Sequence, residues 1–133
     1  INLEKVKSIY FIGIGGVGMS ATAGIAAQKG LEFLGATQGV IDPAKSVLAD
    51  NDIEYASGYD KNNILNNPAD LYIASSGENL SNPEIAYLNE QGLEPHSFSE
   101  LLAAVAKDKL RVVVAGTHGK STTAGLLGKT LQT

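Results

Sequence analysis

The sequence contains no cysteine and no tryptophan, and its only imidazoles are His96 and His118. Without cysteine the chain can form neither disulfides nor thiolate metal sites. Two histidines are a poor basis for zinc, so no zinc site is expected. The sequence also lacks any apolar run that approaches the roughly 18 residues of a membrane-spanning helix, which argues against a membrane-embedded class.

Basic residues are scarce as well, because 10 Lys and Arg stand against 14 Asp and Glu, for a net charge of −4. A general binder of nucleic acid would show a basic stripe, so that class is not predicted. The 133 residues are 44% apolar and 18% charged, which suits one folded domain with room for part of another. No signal or targeting pattern opens the chain, which predicts a cytoplasmic location. Since Ile1 is not an initiator residue, we expect the natural start to be missing.

A glycine-dense turn follows the first apolar run, Ile9 to Ile12. Gly13, Gly15 and Gly18 fit the pattern G-x-G-x-x-G, and small residues at helical spacing follow from Val17. A strand before and a helix after are the context in which this pattern binds a nucleotide. The first glycine allows the tight turn, the second admits a pyrophosphate, and the third lets helix and strand pack closely. The other interpretation is a glycine-rich connection without a ligand.

Apolar strands alternate with helices along the whole chain. Strands are predicted at 9–12, 31–35, 53–56, 71–74, 93–96 and 111–115, and helices at 17–29, 43–51, 83–91, 100–106 and 120–131. A short helical turn is predicted within the loop 60–68, and Ser99 is the expected cap of the helix that starts at 100. This alternation predicts an α/β, Rossmann-like, doubly wound parallel sheet with helices on both faces and ligands at the carboxyl ends of its strands.

A second loop with phosphate-binding character lies at residues 116–123, between an apolar run and an amphipathic helix. It reads Gly116-Thr117-His118-Gly119-Lys120-Ser121-Thr122-Thr123. In a P-loop the backbone amides hold phosphates, a lysine such as Lys120 reaches the terminal ones, and a hydroxyl such as that of Ser121 binds Mg²⁺. Val114 stands where the general pattern has its first glycine, so this loop is a variant. The alternative is a chance Gly-Lys-Ser sequence at a helix start.

Residues 116–123 resemble the ATP loop of the Mur ligases, which assemble the stem peptide of bacterial peptidoglycan. The turn from Gly13 to Ser20 resembles the first domain of this family, and Ser75-Ser76 and Asn82-Pro83-Glu84 resemble its pattern in the same order. The resemblance covers essentially the whole chain. It implies a Rossmann-like UDP-sugar-binding domain at 1–102, a connector at 103–109, and at 110–133 the first strand, P-loop and helix of a truncated central ATPase domain.

The resemblance also implies a set of site residues. ATP would be bound by Gly116, Thr117, His118, Gly119, Lys120, Ser121 and Thr122, with Lys120 catalytic and Ser121 a Mg²⁺ ligand. The UDP-sugar would be bound by the backbone amides of Gly15, Gly16, Val17 and Gly18 and by Ser75 and Ser76. Turn capping is an equal alternative for the two serines, helix capping for Thr122, and simple exposure for His118.

The implied activity joins an amino acid to a substrate of the UDP-N-acetylmuramate type, with ATP activating the carboxylate as an acyl phosphate. The Gly-Met-Ser end of the first turn favours the alanine-adding branch of the family over the branch that adds a tripeptide in cell-wall recycling. The chain alone is predicted to be inactive, because the acidic metal ligands and the amino-acid-binding domain would lie beyond Thr133. Two positions depart from the family pattern: Ala36-Thr37 replaces an expected Ser-Asp pair, and Phe98 stands at an expected arginine.

Two other classes of protein use one loop each. An NAD-dependent oxidoreductase would use the first turn, but it would not explain Gly119-Lys120-Ser121, and Thr37 offers no acidic partner for a ribose. A P-loop kinase or GTPase would use the second loop, but such proteins usually place it after their first strand. We also expect the strand at 111–115 to pair with the edge of the first sheet as a sixth strand; the alternatives are self-association through its apolar edge and fraying.

Overall fold

The computed structural model describes residues 1–132, which form one parallel sheet with helices on both faces. A short 3₁₀ helix at Leu3–Lys5 precedes the first strand. The strands are β1 (Ser8–Ile12), β2 (Glu32–Thr37), β3 (Ala56–Ser57), β4 (Leu71–Ala74) and β5 (His96–Ser97). The helices are α1 (Val17–Ala27), α2 (Ala44–Asp50), α3 (Lys61–Asn66), α4 (Pro83–Glu90), α5 (Phe98–Val105) and α6 (Lys120–Leu131).

The strand order is β3-β2-β1-β4-β5, and every neighbouring pair is parallel. The chain first winds from β1 out to β3 and then crosses to β4 on the other side of β1. Ile12, at the end of β1, pairs with Ala36 of β2 and with Ala74 of β4. The predicted doubly wound α/β fold is therefore confirmed, and its topological switch point lies between the carboxyl ends of β1 and β4. None of the helices within 1–132 is long and apolar enough to cross a membrane.

Successive side chains of β1 enter two apolar layers on opposite faces of the sheet, as the alternation of a strand requires. Helices α1, α2 and α5 cover the first layer, which contains Ile9, Phe11, Ile14, Met19, Ala23, Ala26, Leu48, Ile53, Leu71, Ile73, Leu101 and Val105. Helices α3 and α4 cover the second, which contains Tyr10, Ile12, Ala36, Ile64 and Leu88. Four of the five β1 residues, those at 9–12, are buried between the two layers, which explains why this strand reads as a continuous apolar run.

Several element boundaries differ from the predicted ones. Strand β2 extends to Thr37, whereas β3 and β5 contain two residues each, and residues 61–66 form a complete helix instead of a single turn. The predicted cap Ser99 is wrong, because α5 begins at Phe98 and Ser97 caps it. The Ser97 hydroxyl accepts from the Glu100 amide, and the Glu100 carboxylate accepts from the Ser97 amide at 2.7 Å. Hydrogen bonds donated by the Ser97 amide and by the Ser97 hydroxyl to the carboxylate lower the pKa of Glu100 to about 2.

The sixth strand predicted at 111–115 does not form. Residues 110–116 have no regular secondary structure, and the side chains of Leu110, Val112 and Val113 are exposed. Both edge strands of the sheet, β3 and β5, have only two residues, so neither edge offers a ladder long enough to add another strand. Helix α6 forms where it was predicted, but it contains no buried residue.

Candidate functional site

The first glycine turn lies at the switch point and is tied to both neighbouring strands. The Gly13 amide donates to the Ala36 carbonyl of β2 at 2.8 Å, and the Ser75 amide after β4 donates to the Ile12 carbonyl at 3.0 Å. Gly13 has φ of +85°, and a Cβ there would lie 2.9 Å from the Cβ of Ser75. Both the backbone conformation and the space at this position therefore require glycine.

Within the turn, the backbone comes closest to the neighbouring segment 37–39 at Gly15. A Cβ on Gly15 would lie 2.3 Å from the carbonyl oxygen of Gly39 and 2.6 Å from Oγ1 of Thr37. At the next residue, Gly16, the nearest atom to an added Cβ would be 3.6 Å away, which is ordinary contact. Only the first of these two positions is closed to a side chain.

The turn leads directly into the N-terminus of α1. Gly16 is the N-cap with extended backbone, and no side chain caps the helix there. The first amides of an α-helix have no partner within the helix, so they remain available together with the positive end of its dipole. Val17, the first helical residue, is 62% exposed, which leaves this end open to solvent. This geometry is that of an anion-binding helix terminus.

The third glycine of the pattern has a different role from the expected one. A Cβ on Gly18 would lie 3.1 Å from the ring of Phe98, the first residue of α5. Gly18 therefore makes room for an aromatic ring of a neighbouring helix, not for a strand. Because the Phe98 ring carries no positive charge, a diphosphate here would depend on backbone amides to compensate its charge.

The two serines predicted to contact the UDP-sugar differ in their surroundings. Ser75 is half-buried, and its Oγ accepts a 3.4 Å hydrogen bond from the Gly77 amide, which is the turn-capping role. Ser76 is exposed and makes no hydrogen bond with any residue in 1–132. Thr37 is buried at the end of β2, and its hydroxyl donates to the Gly39 carbonyl at 3.0 Å.

Sequence reasoning missed a polar cluster beside the turn. Glu78 Oε1 accepts from the Tyr59 hydroxyl at 2.7 Å, and its Oε2 accepts from Asn82 Nδ2 at 2.7 Å. Asn82 is also the N-cap of α4, accepting from the Glu84 amide at 2.9 Å. Burial, followed by the hydrogen bond to Glu78, raises the pKa of Tyr59. The cluster therefore holds the Glu78 carboxylate in a fixed position next to the first glycine.

A second carboxylate, that of Glu84, is completely buried below this cluster. Its Oε1 accepts from the Tyr10 hydroxyl at 3.0 Å, from Asn63 Nδ2 at 2.7 Å and from the Asp60 amide at 3.4 Å. Its Oε2 is buried without a hydrogen-bond partner among the described residues. Burial is the main cause that raises the pKa of Glu84, and the nearby charge of Glu78 acts in the same direction.

Replacing this carboxylate should change how stability depends on pH. Because the pKa of Glu84 is raised in the folded state above its usual value of 4.5, its favourable contribution to the free energy of unfolding is complete below pH 4.5 and is lost as pH rises through the folded-state pKa. Glu84→Gln should therefore be more stable relative to the parent at pH 8 than at pH 4. Urea unfolding at both pH values measures this difference. An unchanged difference would contradict the raised pKa, and Glu90→Gln on the exposed part of α4 is the control.

The second loop precedes α6 and is exposed throughout. Gly119 is the N-cap of α6 with φ of +75°, a left-handed conformation that favours glycine, and no side chain caps the helix. His118, Lys120 and Ser121 are exposed and make no hydrogen bond with other side chains in the described part of the chain. The loop therefore presents free amides, a lysine and a hydroxyl at one helix start.

Acidic metal ligands do not accompany this loop. Residues 1–132 contain no group of three or more His, Asp or Glu side chains arranged to hold a metal ion. The N-terminus of α6 fits a phosphate, whereas Ser121 would supply only one of the oxygen ligands that Mg²⁺ requires. No hydrogen bond within 1–132 joins this loop to the first turn.

Comparison with known proteins finds a family model and several relatives that match this chain. The model of the Mur ligase family, catalytic domain, matches residues 8–110. UDP-N-acetylmuramate–L-alanine ligase from Fusobacterium nucleatum is 37% identical over 125 residues, which are 94% of this chain and 26% of the relative. The enzyme of the same name from Paenarthrobacter aurescens is 38% identical over 130 residues, which are 98% of this chain and 28% of the relative.

Solved structures give the same picture. UDP-N-acetylmuramate:L-alanyl-gamma-D-glutamyl-meso-diaminopimelate ligase from Neisseria meningitides matches with a TM-score of 0.85 and 31% identity, over 95% of this chain and 39% of that one. UDP-N-acetylmuramate-alanine ligase from Thermotoga maritima matches with a TM-score of 0.82 and 26% identity, over 96% and 29%. The chain thus spans between 26% and 28% of the length of the two curated relatives.

Proposed function

This chain belongs to the Mur ligase family, and on that basis we propose that it is the UDP-sugar-binding part of an ATP-dependent ligase that joins L-alanine to UDP-N-acetylmuramate. The names of the relatives with 37% and 38% identity support this substrate pair. The second candidate is the tripeptide-adding ligase of cell-wall recycling, which the structural match with a TM-score of 0.85 favours.

The observation that carries the proposal is the uncapped N-terminus of α1 at the switch point. The turn is bonded to Ala36 and the neighbouring Ser75 amide to Ile12, so both adjacent strands fix its position. Backbone amides of Gly15 to Gly18 would donate to the diphosphate of the UDP-sugar, and the close packing around Gly15 leaves no side chain in the way. The site residues of this turn remain proposals, as do Ser75 and Ser76.

The second loop would bind the triphosphate of ATP. Bound ATP supplies the phosphoryl group that activates the substrate carboxylate. Gly119 and the first amides of α6 would hold phosphate oxygens, and the Lys120 ammonium would neutralise charge on the terminal phosphate. Ser121 would be one ligand of Mg²⁺. Gly116, Thr117, His118 and Thr122 complete the proposed ATP site.

Several other expectations from the sequence remain predictions. The domain division at residues 102 and 110 follows from the resemblance, as does the inactivity of this chain alone, and the cytoplasmic location is a prediction from the N-terminal sequence. Self-association through 111–115 is also a prediction, and the exposed Leu110, Val112 and Val113 are the observation that supports it.

Calorimetric titration of this chain tests the proposal. We expect saturable binding of UDP-N-acetylmuramate, because diphosphate and nucleoside both face the switch-point crevice, and at least about tenfold weaker binding of NADH. ATP with Mg²⁺ is the third ligand, and its titration tests binding to the second loop separately. Tighter binding of NADH than of the UDP-sugar would reject the ligase proposal in favour of an oxidoreductase domain. Phosphate release by the complete enzyme with L-alanine or with the tripeptide would then distinguish the two ligase candidates.

A further inference from the structure

A depression of about 350 Å³ opens beside the first glycine turn, between the end of β2 and the loop that precedes α4. It is lined by Gln38, Tyr59, Glu78, Asn79, Ser81, Asn82 and Pro83. The two features adjoin, because a Cβ on Gly13 would lie 3.3 Å from Glu78 Oε1 and 3.5 Å from the Tyr59 hydroxyl. A volume in this range suits a nucleoside-sized ligand portion.

Glu78 is the acidic side chain in this wall, and its position is fixed from two sides. Tyr59 donates to Oε1 and Asn82 donates to Oε2, each at 2.7 Å. A carboxylate has about four acceptor positions, so each oxygen keeps one for a further donor. The fixed carboxylate is therefore prepared to accept hydrogen bonds from a ligand in the depression.

Strand β2 does not supply this acceptor. In dinucleotide-binding sheets an acidic residue after the second strand usually accepts from ribose hydroxyls. Here that place is taken by Thr37, whose hydroxyl is already donated to Gly39. The carboxylate comes instead from the far side of the crevice, from the loop between β4 and α4.

We propose that Glu78 accepts hydrogen bonds from the ribose hydroxyls of the bound uridine nucleotide and so replaces the acidic residue missing after β2. This assignment rests on the proposed function, because it assumes that a UDP-sugar occupies the turn. A carboxylate would repel the diphosphate itself, so the partner of Glu78 is a donor group displaced from the phosphates. Ribose carries such donors next to the diphosphate.

The test is a calorimetric cycle on this chain with UDP, 2′-deoxy-UDP and 3′-deoxy-UDP. UDP contains no amino sugar, so any hydroxyl effect belongs to the ribose. The proteins are the parent chain, Glu78→Ala and the control Glu90→Ala, which removes an exposed carboxylate from α4. Tyr59→Phe removes one donor that holds Glu78 and keeps the carboxylate itself.

We expect Glu78→Ala to weaken UDP binding about tenfold, since a hydrogen bond to a charged group is lost. At least one deoxy nucleotide should bind the parent about tenfold more weakly than UDP, yet bind Glu78→Ala no worse than UDP does. Tyr59→Phe should show a smaller loss of the same kind, and Glu90→Ala none. A purely structural role of Glu78 would weaken all three nucleotides equally.

Two results would overturn the assignment, and they differ in what else they reject. If the parent binds UDP and the deoxy nucleotides with the same affinity, or Glu78→Ala binds UDP more tightly, then Glu78 is not the ribose acceptor and the proposed function survives. If the parent binds neither UDP nor UDP-N-acetylmuramate, the proposed function fails together with the assignment. Thermal unfolding of each variant separates loss of binding from loss of fold.

Discussion

Gly15→Ala is expected to abolish measurable binding of the UDP-sugar and to lower the free energy of unfolding by about 2 kcal/mol or more. The added methyl group would lie 2.3 Å from the Gly39 carbonyl oxygen and 2.6 Å from Thr37 Oγ1. The first of these atoms belongs to the backbone, so the turn must move away from β2 to admit it. That movement displaces the amides that face the ligand.

Gly16→Ala is the matched control for the effect on stability, because the same methyl group one residue later meets nothing nearer than 3.6 Å. Replacing the N-cap glycine with alanine should lower the free energy of unfolding by only about 0.5 kcal/mol. Urea unfolding of both variants and calorimetric titration with UDP-N-acetylmuramate measure the two effects. Equal stability of Gly15→Ala and the parent would show that the turn does not pack against β2 as described.

The fold could be predicted because its determinants are local. The apolar run of β1, the glycine turn and the regular alternation of strands and helices are contiguous in sequence, and together they require a parallel sheet. The lengths of β3 and β5 were not predictable in the same way. Each pairs with one neighbour at only two positions, and that limit is set by the register of β2 and β4 instead of by local composition.

The strand predicted at 111–115 shows the limit of local pattern most clearly. Three consecutive valines have high β propensity, yet a strand exists only when another strand completes its hydrogen bonds. Both edge strands of the sheet have only two residues, so residues 111–115 find no strand with which to form a ladder of hydrogen bonds. The cap of α5 is Ser97 and not Ser99, because a capping box requires the glutamate to stand three residues after the cap. Glu100 stands three residues after Ser97.

The candidate site was predictable only in part. The spacing of its glycines predicts the first turn, whereas the cluster of Tyr59, Glu78 and Asn82 combines residues from separate loops. Topology brings them together, because the loops after β3 and β4 both open at the carboxyl edge of the sheet. The available signal was Asn82-Pro83, a helix start that fixes the loop carrying Glu78. Nothing in the sequence indicated that Glu78 would face Gly13.

In the ligase that we propose, Lys120→Ala is expected to lower the turnover rate by about 10³-fold, because one fixed positive charge at the transferring phosphoryl group would be lost. Lys129→Ala is the control: both lysines are exposed and lie on α6, but Lys129 is in the last turn, away from the loop. Phosphate release with UDP-N-acetylmuramate, L-alanine and ATP measures the rate. Binding of the UDP-sugar should remain unchanged in both variants, since the proposed site of that ligand is the first turn. Because charge neutralisation matters more as the phosphoryl group leaves than when ATP first binds, the loss should appear mainly in the maximal rate and less in the Michaelis constant for ATP.

A Lys120→Ala enzyme that retains a tenth or more of the parent rate would show that another group supplies this charge, and would reject the catalytic assignment of Lys120.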